Sequence, residues 1–415
     1  MKLFASIGLL FLTTIQGGAQ SPQPSSTPAA MRPSVVTAST PAVPVRSTPT
    51  PVQVPRQTPV SMPSQMQPTQ ASNLSYKGLS FSQIKNKIAE AKRAMQTRPL
   101  NIVMSEPLTT SAPVRIAYYD SRDKKIDYIV VSKEAFLTPS FPTAAVSSNG
   151  RGMTTTTIRA NGVNTPIVVR DETGQTHLPL LVQYPVERSG RYMETAYYMS
   201  THPGLVTPEV VSAGRFYVAN TIEIARDQLK VSGYFIQPKI ADMAERLATV
   251  EHVDHLRFRT EFHPNIYNDI FTLYALNEGQ TYRYSVSSAG AGGMVQMIPW
   301  TYRMIRERYP RALLMPDFVE GMRHHVNASK AMLLYMQMTW NDLIASPAVS
   351  DARLTGIARD EHLMAAGYNS NPAKLPGYIT RGGANWASLI PRETKIYLQI
   401  WDSLERAVAL PPRKL

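Results

Sequence analysis

Two periodicities divide the chain. Between Leu100 and Tyr198 apolar positions recur at every second residue, the spacing of half-buried strands. Ile116 and Tyr118, then Ile126, Tyr128 and Val130, flank the polar run Asp120-Ser121-Arg122-Asp123-Lys124-Lys125, which predicts a hairpin. Thr154 to Ile158 reads as a strand ending at the turn pair Asn161-Gly162. Ile167-Val168-Val169 and Leu180-Leu181-Val182 flank Asp171-Glu172-Thr173-Gly174 in the same way. Several antiparallel strands are therefore expected in a small β-rich domain over 76–200. An amphipathic helix opens it over 77–97, with Ile84, Ile88, Ala91 and Met95 on one face and Lys85, Lys87, Lys92 and Arg93 outside. From Thr207 the period becomes helical. Thr207 suits a helix cap and Pro208 the first helical position. Helices are predicted at about 208–232, 238–256, 264–278, 294–308, 317–345, 360–368 and 392–408, with a loop at Arg311 to Pro316. A β-rich part followed by an α-rich part predicts an α+β multidomain chain with an all-α domain over 207–415, not an alternating α/β sheet.

The N-terminal stretch is different. Lys2, an apolar run from Leu3 to Ile15 and the small residues Gly17-Gly18-Ala19 predict an export signal over 1–19. The run is shorter than the roughly 20 residues of a membrane span. Residues 20–75 are rich in Pro, Ser and Thr and predict a disordered linker that cannot bury enough apolar surface to fold. The protein is expected in the periplasm or cell envelope. The chain has no cysteine, which excludes a lipid-modified cysteine after the signal. Its formal net charge of +13, from 43 Lys and Arg against 30 Asp and Glu, favours anionic partners. A nucleic-acid binder would interleave basic and aromatic positions, and this chain does not, so no nucleic-acid partner is expected.

Candidate chemistry gathers in one stretch. Ile266, Ile270, Phe271, Leu273, Tyr274 and Leu276 recur at helical spacing and place Glu278 in the last turn of a core-facing helix. A loop of small residues follows, Ser287-Ser288-Ala289-Gly290-Ala291-Gly292-Gly293, and then Met294-Val295-Gln296-Met297-Ile298-Pro299-Trp300-Thr301. Farther on stand Ala366-Gly367-Tyr368-Asn369-Ser370-Asn371-Pro372 and Pro391-Arg392-Glu393-Thr394-Lys395-Ile396-Tyr397. A general acid must hold its proton near neutral pH, and partial burial at the end of an apolar helix would raise the pKa of a carboxyl. No Asp or Glu lies between Gly279 and Arg306 to serve as a second carboxylate. The adjacent histidines His324 and His325 cannot face one another on a helix and have no third ligand beside them, so no metal is expected.

These three blocks, in this order, resemble the soluble lytic transglycosylases, whose domain is lysozyme-like; the resemblance covers roughly the last 40% of the chain. It implies cleavage of the β-1,4 bond between N-acetylmuramic acid and N-acetylglucosamine in peptidoglycan, without a cofactor, leaving 1,6-anhydro ends. Glu278 would be the single acid and base. Ser287, Gln296, Ile298, Tyr368 and Asn369 would bind the glycan, and Glu393 would support the site by hydrogen bonding. The chain departs from the family pattern at Gly279 for Ser, Ile298 for a groove Met, Asn371 for Gly and Lys395 for Arg. Two alternatives stay open: a lysozyme-type hydrolase, for which Asp317 or Asp360 would have to reach the groove, and a non-catalytic wall-binding or assembly module. The β-rich part offers a docking surface for an envelope protein.

Overall fold

The computed structural model describes residues 79–100 and 112–413. The expected export signal and Pro-rich linker lie outside the described residues. Helix α1 (Phe81–Thr97) begins with a capping box, in which the Ser80 hydroxyl accepts from the Gln83 amide and the Gln83 side chain accepts from the Ser80 amide. Its predicted apolar face, Ile84, Ile88, Ala91 and Met95, is buried against the sheet that follows.

That sheet has seven strands: β1 (Pro113–Asp120), β2 (Lys125–Ser132), β3 (Pro142–Val146), β4 (Gly152–Thr157), β5 (Ile167–Asp171), β6 (Thr176–Arg188) and β7 (Arg191–Tyr198). A short helix, α2 (Lys133–Phe136), follows β2. The strand order is β2-β1-β6-β5-β4-β3, with β7 also on β6, and every pairing is antiparallel. The predicted hairpin is β1–β2, in register from Pro113 with Ser132 to Asp120 with Lys125. The long β6 changes partners along its length, with β5 at its start, β1 in its middle and β7 at its end. The sheet curls into a half-barrel, and its outer strands approach where the Ser148 amide donates to the Tyr128 carbonyl at 2.8 Å. Strands β3 and β7 were not predicted: Ala144 and Ala145 carry little alternation in β3, and β7 buries only Ala196 and Tyr198, at its end.

The rest of the described chain is helical. Helix α3 (Pro208–Val231) is capped by Thr207 and starts at Pro208 as expected. After it come α4 (Pro238–Val250), α5 (His255–Thr260) and α6 (His263–Asn277). Then follow α7 (Pro299–Arg308), α8 (Phe318–Arg323), α9 (His325–Ile344), α10 (Pro347–Leu354), α11 (Asp360–Asn369), α12 (Leu375–Gly382) and α13 (Arg392–Ala407). Three boundaries differ from expectation. The predicted 238–256 helix stops at Val250, and Asp254 caps a new one by accepting from the Leu256 and Arg257 amides. The predicted 294–308 helix begins only at Pro299, because Gly293 and Gln296 take positive φ values of 66° and 46°. The predicted 317–345 helix is broken at His324, whose extended backbone ends α8 and whose ring caps α9.

Sheet and helices share one hydrophobic cluster. Their junction is made by polar groups at the end of β7. The Asn277 side chain receives the Met199 amide at 2.7 Å and donates to the Met199 carbonyl at 2.9 Å, as a neighbouring strand would. The Tyr282 amide donates to the Tyr198 hydroxyl at 3.1 Å, and Glu194 pairs with both Arg283 and Arg323. Gly214 lets α3 cross α6 closely: a Cβ there would lie 1.9 Å from the Phe271 carbonyl oxygen.

Candidate active site

Glu278 stands just past the end of α6. Asn277 is the last helical residue, and Glu278 turns out of the helix at φ 42° and ψ −121° to open a 3-10 turn over Glu278–Gln280. Its side chain is 50% exposed and forms an ion pair with Lys85 of α1. Its charge is also felt at Tyr217 of α3, whose hydroxyl is bonded to His325. Partial burial was expected. Two tertiary contacts work against it: the Asn277 amide is held by Met199, and Lys85 draws the next carboxylate outward.

The loop after Glu278 folds on itself. Ser287 is exposed, and its hydroxyl accepts from the Ala291 amide at 3.0 Å. Gly293 lies against the backbone of α8; a Cβ there would meet the Met322 carbonyl oxygen at 2.3 Å. The Gln296 amide nitrogen donates to the Gly293 carbonyl at 2.8 Å and to the Ser285 hydroxyl at 3.2 Å. Ile298 is 39% exposed at the start of α7.

Hydrogen bonds bring the three blocks together. The Tyr368 hydroxyl, from the second block, donates to the Val295 carbonyl of the first at 2.7 Å. Asn369 accepts from the Thr394 hydroxyl of the third block at 2.9 Å. Tyr397 of the third block donates to the carboxyl of Glu251, which follows the last turn of α4. Glu393 is exposed in the first turn of α13 and makes no hydrogen bond or ion pair among the described residues, although its charge is felt at Glu251.

Glu251 is the residue that the sequence reading passed over. It lines a cleft of about 500 Å³ between the sheet and the helices. The walls are the loop Arg159–Asn164, Tyr198 at the end of β7, residues 251–254 and 257, the Asp269–Leu273 face of α6, and residues 282 and 284–286. Burial pushes the Glu251 carboxyl up to about 8, with Glu393 adding to the rise and the Tyr397 hydroxyl opposing it. Beside it, His252 lies flat on Tyr282, with ring centres 3.4 Å apart. Burial brings His252 down to about 3, so the ring is neutral and its Nε2–H donates to the Met294 carbonyl at 2.9 Å. A signal for Glu251 was available. Leu247, Ala248 and Val250 form an apolar helix end just before it, the same pattern that singled out Glu278.

The cleft reaches the motif residues through Ser285, which holds Gln296, and through Glu251, which holds Tyr397. The interactions of Glu278 run instead to α1 and α3. Neither of the other carboxylates considered for a hydrolase is free: Asp317 caps α8, and Asp360 pairs with Lys239 and Arg353. His325 is buried between Tyr217 and the Thr281 carbonyl. No helix among the described residues is long and apolar enough to cross a membrane. No protein-family model, curated protein or solved structure matches the chain.

Proposed function

We propose that this protein is an exported peptidoglycan lytic transglycosylase whose helical part is lysozyme-like. Support comes from one observation: the three motif blocks, far apart in sequence, are joined by the bonds Tyr368 to Val295 and Thr394 to Asn369, and Tyr397 of the third block bonds Glu251 in the cleft wall. On this proposal Glu278 protonates the glycosidic oxygen as the C1–O bond breaks. It then takes the proton of the muramic acid C6 hydroxyl as that oxygen bonds to C1, and water is not consumed. Lys85 has to leave Glu278 before the carboxyl can meet a sugar.

Glu251 favours a second reading. A carboxyl held up to about 8 in a cleft is already protonated at neutral pH, and with a second carboxylate it would suit a hydrolase. Both are tested by digesting purified peptidoglycan with the full chain, Glu278→Gln and Glu251→Gln, and analysing the products by mass spectrometry. Anhydro products that vanish with Glu278→Gln support the proposal. Reducing-end products that vanish with Glu251→Gln replace it with the hydrolase. Sacculi bound without any soluble product reduce the protein to a wall-binding module.

A further inference from the structure

We propose that the loop Arg159–Asn164 forms a carboxylate-binding subsite on the sheet side of the cleft, where the Arg159 guanidinium takes an acidic group of the bound glycan. This rests on the glycan-cleaving reading for the saccharide; the carboxylate rests on Arg159.

The loop is a built feature. The Ile158 amide donates to the Pro166 carbonyl at 2.9 Å, and the Asn161 amide to the Thr165 hydroxyl at 2.9 Å. That hydroxyl donates to the Gly162 carbonyl at 2.7 Å, and Gly162 sits at φ 53°. Val163 is buried beneath the turn, and Asn164 accepts from Ser200. The loop therefore holds Arg159 in the wall of the cleft that Ser285 and Val286 also line.

Arg159 has been left without a partner of its own. It is partly buried and makes no hydrogen bond or ion pair among the described residues. Burial lowers its pKa, and Arg257 lowers it further, against the weaker pull of Asp269, Glu261 and Asp254. Those acids are engaged elsewhere. Arg257 holds Glu261 at 2.9 Å and Asp269 at 2.6 Å, while Asp254 caps α5. A guanidinium has five donors in a planar fork, and leaving them unmet in a part-buried site is unfavourable. A carboxylate is the group that satisfies two of them at once. The cleft volume falls within the range of small-molecule sites.

The acid could be the lactyl carboxylate of a muramic acid or a carboxylate of its stem peptide. Isothermal titration calorimetry of the full-length Glu278→Gln protein separates them with three probes. These are an N-acetylglucosamine dimer, the N-acetylglucosaminyl-N-acetylmuramic acid disaccharide, and the same disaccharide with a stem peptide capping its lactyl group. At least one acidic probe should bind about tenfold more tightly than the neutral dimer, the scale of a charge-assisted hydrogen bond. Whichever probe gains the advantage identifies the source. Arg159→Ala should bring that probe to the level of the dimer without moving the thermal midpoint. Arg159→Lys should keep part of the advantage, because it keeps the charge and loses the fork. Equal binding of all three probes, no binding of any, or a preference that survives Arg159→Ala overturns the subsite. The readout is binding, so a protein that selects the acid yet releases no fragments from peptidoglycan would lose the enzymatic reading and keep the subsite.

Discussion

Glu251 gives the fold a pH dependence with a window of its own. Burial, helped by Glu393 and opposed by Tyr397, holds its carboxyl at about 8 against an ordinary value of 4.5. Between these values the unfolded chain releases the proton and the folded chain keeps it. Stability is thus full below the lower value and is lost as pH rises through the upper one. Three histidines, His202 and His325 buried and His252 half-buried, act in the opposite sense at lower pH. Burial brings His252 to about 3, and His202 and His325 to about 4, from an ordinary 6.5. Their contribution is present above 6.5 and is lost as pH falls toward their folded values. At 6.5 these histidines are still half protonated in the unfolded chain, and each adds about 0.4 kcal/mol as pH rises from 6.5 to 8, so over that interval Glu251 is isolated by subtracting the profile of a variant that lacks its carboxyl. A proton held by one state alone changes stability by about 1.4 kcal/mol per pH unit, which makes about 2 kcal/mol across that interval. The assay is urea unfolding at both ends of the interval for the wild type and Glu251→Gln, whose amide oxygen can still accept from Tyr397. Relative to the variant, the wild type should lose about 1.5–2 kcal/mol as pH rises across the interval. Parallel profiles for the wild type and the variant refute the assignment of a protonated Glu251 to the cleft.

Three other substitutions test the frame around the site. Gly214→Ala puts a Cβ 1.9 Å from the Phe271 carbonyl oxygen and must part α3 from α6 by about an ångström. A loss of about 2–3 kcal/mol in urea unfolding is expected, and wild-type stability would contradict the close crossing. Gly279→Ser has nothing within 4 Å of its added Cβ and should stay within about 0.5 kcal/mol of the wild type; a larger loss would contradict that open space. Lys85→Ala removes an ion pair whose side chains are 42% and 50% exposed, so stability should change by less than about 1 kcal/mol. Freed of a pair on that scale, Glu278 should cleave glycan up to about fivefold faster, and an unchanged or slower rate of fragment release counts against the obstructing role of Lys85.

Residues that act through local chemistry were legible in the sequence. Ile84, Ile88, Ala91 and Met95 form the buried face of α1, Thr207 and Pro208 start α3, and the β1–β2 turn falls on its polar run. Strand β6 was seen only in part, because its buried run from His177 to Pro185 has no alternation to mark its ends. Helices α10 and α12 were missed since each is eight residues long, too short for a periodic stripe to stand out. Within the candidate site, the three blocks and Tyr368, Asn369 and Glu393 could be read from their order. The cleft could not, because its walls come from the 159–164 loop and from α4 to α6, which meet only through tertiary packing.

The contrast between Glu251 and Glu278 shows what such packing adds. Both follow an apolar helix, and on local pattern either could be the buried acid. Their backbones then diverge. Glu251 keeps a helical conformation at φ −59°, which leaves its carboxyl beneath the Tyr397 hydroxyl. Glu278 turns to a positive φ one residue after Asn277 has been fastened to β7, and α1 brings Lys85 to meet it. The sheet side of the fold, which lies outside the motif blocks, therefore acts on both carboxyls. It supplies the loop that closes the cleft over Glu251, and it carries the helix that holds Glu278 in solvent. A ligand that enters the cleft beside Arg159 touches the first of these directly. On the proposed reaction Glu278 can act only once α1 releases it, and Lys85→Ala tests that step separately from the Arg159 subsite.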